Sequence, residues 1–219
     1  MIRELLPEGV AAAEVRGDDP DARLLPEEEA VLERGIPKRR REFTIGRSCA
    51  RTALAELKFP PGPILPGSHR EPTWPAGAVG SITHCREYCA AAVAPASRFA
   101  SIGIDAEVHA ELPEGVLERI SVPEERARLE ARAGGGTWWE TVLFSAKESV
   151  FKAWFPLARR WLGFEDACVD LDPEEGTFHA RLLVPGPEVR GRPSTGFGGR
   201  YLVRDGLVVT AVVLRNFEA

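Results

Sequence analysis

A chain of 219 residues has room for one large domain or two small halves. Hydrophobic residues at 44 % and charged residues at 28 % supply a sizeable core and exclude a chain disordered throughout. With 28 Lys and Arg against 33 Asp and Glu, the net charge of −5 argues against a nucleic-acid binder, and no apolar run reaches the ~18 residues of a membrane span.

Residues 1–35 are acidic and punctuated by Pro and Gly. Asp18, Asp19, Asp21 and Glu27 to Glu29 read as a solvated face with one short helix around 26–34. No signal-peptide layout opens the chain, so a soluble cytoplasmic protein is expected. Ile36-Pro37 then begins a helix to about Lys58, whose apolar positions Phe43, Ala50, Ala53, Leu54 and Leu57 form a helical stripe. The stretch FPPGPILPG ends it as a loop. Residues 78–94 read as two short strands joined by a turn, and FASIGIDAEVH as another, with Ile102 and Ile104 on one face. Pro123 starts a polar helix that Gly134, Gly135 and Gly136 stop, and a longer helix follows from about Trp138 to Phe155. Alternating segments ARLLV and RYLVRDGLVVTAVVL close the chain as strands, with Asp205-Gly206 as a hairpin turn. Helices packed on strands in each half predict an α+β fold of two similar-sized lobes.

Four features could carry chemistry. Asp105 and Glu107 are two apart on a strand, so their carboxylates point the same way and repel. A divalent cation such as Mg²⁺ resolves that conflict with hard oxygen ligands; a solvated strand end is the ordinary alternative. Ser145, Glu148 and Lys152 share one face of the aromatic-rich helix, where Glu148 could add a third oxygen ligand and Lys152 could offset phosphate charge; a Glu–Lys surface pair is the alternative. Arg40, Arg47 and Arg51 lie within about 60° of one another on their helix, which suits an anion or a solvated face. Gly80-Ser81-Ile82-Thr83-His84 is a small-residue segment with donors for a phosphate, although a lone histidine is more often structural. Walker and G-x-G-x-x-G loops are absent. The four cysteines, Cys49, Cys85, Cys89 and Cys168, form no C-x-x-C pair and read as reduced structural thiols.

In order, GSITHC, IGIDAE and W-x-x-x-x-FSAKESVFKAWFP resemble the 4′-phosphopantetheinyl transferases of the enterobactin-synthase type, within it the actinobacterial members. RRREFTIGRSCARTAL, REPTWP and WLGFEDA extend the likeness over about 38–170. The resemblance implies transfer of the phosphopantetheine arm of coenzyme A to a serine of an acidic apo acyl- or peptidyl-carrier protein, releasing adenosine 3′,5′-bisphosphate. It implies a pseudo-twofold monomer with its active site in the cleft between lobes 1–100 and 101–219. Asp105, Glu107 and Glu148 would hold Mg²⁺, with Mn²⁺ as a substitute. Glu148, or a metal-bound water that it orients, would take the serine proton, and Lys152 would stabilise the leaving bisphosphate. Lys147 would contact the pyrophosphate. His84 and Arg47 would bind the 3′-phosphate region with help from Arg39 and Arg40, and Ser81 and Thr83 belong to the same motif. Trp161 would line the slot for the pantetheine arm or the serine. Arg70 would replace the basic residue that some relatives carry before the W-P motif. Arg126, Arg128 and Arg132 form a candidate carrier-docking surface. A Mg²⁺-dependent pyrophosphohydrolase and a non-catalytic coenzyme A or carrier-binding module are the competing readings.

Overall fold

The computed structural model describes residues 1–32, 37–132, 136–189 and 191–216. After a single 3₁₀ turn at Ile2–Leu5 come β1 (Ala11–Arg16), α1 (Pro26–Ala30), α2 (Pro37–Glu56), β2 (Ala78–Cys85), β3 (Tyr88–Pro95) and β4 (Phe99–Val108). The second part holds α3 (Val116–Ile120), α4 (Pro123–Ala131), α5 (Trp139–Ala158), β5 (Ala167–Asp172), β6 (Thr177–Leu182), β7 (Glu188–Val189), β8 (Arg192–Pro193), β9 (Gly196–Arg204) and β10 (Leu207–Arg215). Ile36, Gly134 and Gly135, expected to flank helices, lie outside the described residues.

Two large antiparallel sheets result, β1-β3-β2 and β4-β10-β9-β6-β5, with β7-β8 as a separate two-stranded ribbon. Each large sheet carries one long helix, and the two face each other, giving the layer order α2, sheet, sheet, α5. Strand alternation sorts the side chains into three cores. Cys89, Ala91 and Val93 of β3 meet Ile45, Cys49, Ala50, Ala53 and Leu54 of α2. The opposite face of β3, Tyr88, Ala90, Ala92 and Ala94, meets Ile102, Ile104 and Ala106 of β4 and Leu207, Val209 and Ala211 of β10. Val208 and Val212 turn the other way, onto Leu143, Ala146, Val150 and Trp154 of α5. Asp105 and Glu107 share that α5 side because Ile104 and Ala106 take the other. Gly103 lets α5 come close: a Cβ there would stand 1.9 Å from the Ser149 carbonyl oxygen.

The hairpin turn falls at Asp205-Gly206, both with positive φ (53° and 73°). Strand β1 is an addition to the expected elements: AAAEVR has little β-branching, yet pairs with β3 from Ala11↔Val93 to Arg16↔Tyr88. The expected solvated face at Glu27–Glu29 needs correction at Glu28, which is fully buried. Its carboxylate accepts the N–H groups of Ile64 at 2.9 Å and Leu25 at 3.0 Å and pairs with Arg51 at 2.5 Å, so it ties the Pro-rich loop to α2. All four cysteines carry free thiols. Among the described residues no helix is long and apolar enough to cross a membrane.

Candidate active site

The site forms where β4, α5 and β2 meet. Asp105 is buried and every oxygen is engaged: Lys152 Nζ lies 2.7 Å from Oδ1, the Thr83 hydroxyl donates to Oδ1 at 3.3 Å, and the Ser145 hydroxyl donates to Oδ2 at 2.8 Å. Behind Ser145, Thr210 Oγ1 is 3.1 Å from its hydroxyl and donates to its carbonyl at 2.9 Å. Ser145 and Thr210 are completely buried. They form a hydroxyl shell behind the carboxylate, the arrangement that fixes side chains for a demanding task.

Glu107 and Glu148 feel the charges of Asp105 and Lys152. Burial chiefly, with the Asp105 and Glu148 charges adding and Lys152 opposing, pushes Glu107 up to about 7. Glu148 is raised by burial, opposed by Lys152 and reinforced by Asp105. Ionising these buried carboxylates together is costly, and hard oxygen donors of this kind suit a divalent cation. Among the described residues, however, no three His, Cys, Asp or Glu side chains converge as a metal-holding group. The donor chemistry fits a cation, while the Lys152 ammonium is the positive charge nearest Asp105.

A 640 Å³ cavity runs between the lobes beside these residues, within the usual volume of a small-molecule site. Gly80 and Ser81 of β2, Lys152 and Phe155 of α5, Arg70 and Trp161 line it. Arg70 adopts a positive φ of 69°. Trp161 is 73 % exposed and its ring centre lies 4.6 Å from that of Phe151. A larger open groove of 830 Å³, bordered by Arg192, Arg200 and Arg215, contains none of the expected site residues.

The basic residues divide. Arg47 is buried, donates through Nε to the Ile64 carbonyl at 3.0 Å and stacks on Phe43 with its guanidinium carbon 3.9 Å from the ring centre. Desolvation, opposed by Glu28, lowers it to about 10, which leaves it charged at neutral pH. Among the described residues Arg47 has no ion pair to a carboxylate; its guanidinium is held by the Ile64 carbonyl and the Phe43 ring. Arg39 is exposed on α2. Arg40 is exposed and pairs with Glu29 at 2.8 Å. His84 is half-exposed, with Nδ1 3.6 Å from Glu42. Burial lowers its pKa, with Glu42 opposing and Lys152 reinforcing. Arg70, Ser81 and Lys152 line the 640 Å³ cavity, whereas Arg39, Arg40, Arg47 and His84 do not.

Three further groups of expected residues already have partners within the protein. The Ser81 and Thr83 hydroxyls accept the N–H groups of Ile104 at 3.1 Å and Ala106 at 3.0 Å, closing the seam between β2 and β4; the Thr83 proton goes to Asp105, and Ser81 lines the 640 Å³ cavity. Lys147 is not open to a pyrophosphate: it is buried, and its ammonium is taken up by Glu125 at 2.8 Å and the carbonyls of Phe164 at 2.7 Å and Ala167 at 2.9 Å. The proposed docking arginines are likewise engaged. Arg126 donates to the Ser121 carbonyl at 2.6 Å, Arg128 pairs with Glu124, and Arg132 donates to the Leu171 carbonyl at 2.7 Å. Thr210 and Glu125 were absent from the sequence reading. A lone hydroxyl in LVVTAVVL signalled the first; nothing beyond its place in the first turn of α4 signalled the second.

Comparison with known proteins gives this geometry its context. Residues 27–94 match the family model "4′-phosphopantetheinyl transferase N-terminal domain", and residues 101–191 match "4′-phosphopantetheinyl transferase superfamily". The chain belongs to the 4′-phosphopantetheinyl transferase family. It is 53 % identical to the 4′-phosphopantetheinyl transferase Svp of Streptomyces mobaraensis over 90 % of this chain and 81 % of that one. It is 46 % identical to PptT of Mycobacterium tuberculosis over 98 % of both chains, and 48 % identical to Npt of Nocardia iowensis over 97 % of this chain and 99 % of the other. Enterobactin synthase component D of Escherichia coli is similar over a shorter stretch, 38 % identical across 57 % of this chain. The protein is therefore a transferase of this family, with the actinobacterial relatives matching along almost the whole chain.

Proposed function

We propose that this phosphopantetheinyl transferase moves the 4′-phosphopantetheine arm of coenzyme A to a serine of an apo acyl- or peptidyl-carrier protein. The serine oxygen bonds to the arm's phosphorus, the pyrophosphate P–O bond breaks, and adenosine 3′,5′-bisphosphate leaves. The observation carrying this reading is the Lys152–Asp105 pair at 2.7 Å, with Glu107 and Glu148 coupled to it beside an interlobe cavity. Asp105, Glu107 and Glu148 would hold Mg²⁺, or Mn²⁺ in its place; the bound cation would supply charge neutralisation at the pyrophosphate.

The protein's own residues supply the remainder. Burial makes Glu148 a stronger base than an exposed carboxylate, suited to taking the serine proton. Lys152, a partly exposed cation on the cavity wall, would turn toward the leaving phosphate. Arg47, desolvated and among the described residues without an acidic partner in ion-pair range, would hold the distant 3′-phosphate with help from His84 and Arg39. Remote binding of this kind orients the reacting end. Arg70 and Trp161 would flank the cofactor in the cavity. Both lobes lie in one chain, which supports a monomer, and free thiols support a cytoplasmic setting.

The test is intact-protein mass spectrometry of an acidic apo carrier protein mixed with the enzyme, coenzyme A and Mg²⁺. A gain of one phosphopantetheine, lost with EDTA and with Glu148→Gln, is the expected result. Coenzyme A cleavage without carrier modification across several carriers would replace the reading with hydrolysis; intact coenzyme A would replace it with binding alone.

A further inference from the structure

The ion pair between Glu125 and Lys147 is almost sealed from solvent, with side chains 1 % and 3 % exposed. Its hydrogen bonding is complete. The three N–H donors of Lys147 meet three acceptors: Glu125 at 2.8 Å, the Phe164 carbonyl at 2.7 Å and the Ala167 carbonyl at 2.9 Å. Glu125 in turn accepts the N–H groups of Val122 at 2.8 Å and Val169 at 2.6 Å. The pair thus joins the start of α4, the residue of α5 just before Glu148, and the segment leading into β5.

Two apolar side chains can replace a buried ion pair at little cost in stability, so stability alone does not explain this one. What it provides is placement. Gly163, Phe164 and Ala167 form one wall of an 80 Å³ slot whose other wall is Lys147, Glu148, Val150 and Phe151 of α5. Trp161 stands at the head of the slot and also borders the 640 Å³ cavity.

We infer that Glu125 and Lys147 are positioning residues for the transfer reaction, holding segment 161–167 against α5 and so fixing the slot between Glu148 and Trp161. Lys147 borders the slot, but its ammonium is committed to Glu125 and to the Phe164 and Ala167 carbonyls. The inference rests on the proposed function for the identity of the substrate that reaches the slot.

The test uses the full-length double variant Glu125→Leu/Lys147→Met, which removes the pair without stranding a buried charge. Lys147→Arg, which keeps the charge but cannot place its donors on the same three acceptors, is the second variant. Hydrogen exchange should quicken at least about tenfold in peptides covering 161–167 and stay unchanged in α2 and the three-stranded sheet. Calorimetry should show the coenzyme A dissociation constant rising about tenfold, with kcat at saturating coenzyme A changed less than about threefold. A merely stabilising pair would quicken exchange throughout and leave affinity alone. Parent-like exchange over 161–167 in either folded variant, or faster exchange with parent-like affinity, would overturn the inference. A parent protein that binds no coenzyme A would instead sink the proposed function, and local exchange would still decide whether the pair holds the segment.

Discussion

Replacing Ser145 by Ala removes one oxygen from the centre of the site and nothing else. The lost hydroxyl is fully buried and donates to Asp105 Oδ2 at 2.8 Å. A hydrogen bond to a charged group contributes about 1.5–3 kcal/mol. Lys152 and Thr83 still hold the other oxygen, so about 2 kcal/mol is the expected loss. For a chain of this size that lowers the melting temperature by about 4–8 °C. Thermal unfolding followed by circular dichroism measures it, and a cycle with Thr210→Val tests the shell: the two changes should be non-additive, since the hydroxyls lie 3.1 Å apart. Removing a group that orients a metal ligand commonly costs about 10–100-fold in metal affinity, so Mn²⁺ binding followed by electron paramagnetic resonance should weaken by that much. A variant melting within about 1 °C of the parent would show that Asp105 does not depend on Ser145.

Other perturbations follow from the same contacts. Glu107 binds its proton more tightly folded, at about 7, than unfolded, so its contribution to stability is full below the ordinary carboxylate range and is lost as pH rises toward 7. Glu107→Gln should therefore raise the metal-free melting temperature at pH 8 and leave it nearly unchanged at pH 4, read from melting curves across pH; the same shift at both values would refute this. Glu28→Ala strands the partly buried Arg51 and two backbone donors, and should cost about 3 kcal/mol in urea unfolding. Gly103→Ala has no room for its methyl group, 1.9 Å from the Ser149 carbonyl, and should destabilise by more than about 3 kcal/mol or leave the chain insoluble on expression.

Much of this was legible in the chain. The stripe of Ala50, Ala53 and Leu54 placed α2, and the alternation of Ile102 and Ile104 put Asp105 and Glu107 on one face, because both patterns are local consequences of backbone period. Lys152 was foreseen as a charge beside phosphate, but its pairing with Asp105 depends on how α5 crosses β4, which no local pattern encodes. The pairing of Lys147 was hidden for a similar reason: adjacent residues on a helix point about 100° apart, and only the packing of α4 shows that the Lys147 ammonium meets Glu125. Glu28 resembled its acidic neighbours in sequence and differs from them only because the loop carrying Ile64 folds over it. Strand β1 lacked a propensity signal and is held by its partner.

The seam made by Ser81 and Thr83 bears on how the molecule meets its neighbours in solution. β4 is ten residues long, largely apolar, and pairs along only one side, with β10. A bare strand edge of that length invites another polypeptide to add itself and begin an aggregate. Here two outward amides, of Ile104 and Ala106, are already bound by hydroxyls from β2. Side chains on β2 have withdrawn those adhesive groups, so the join between the lobes also guards against uncontrolled self-association.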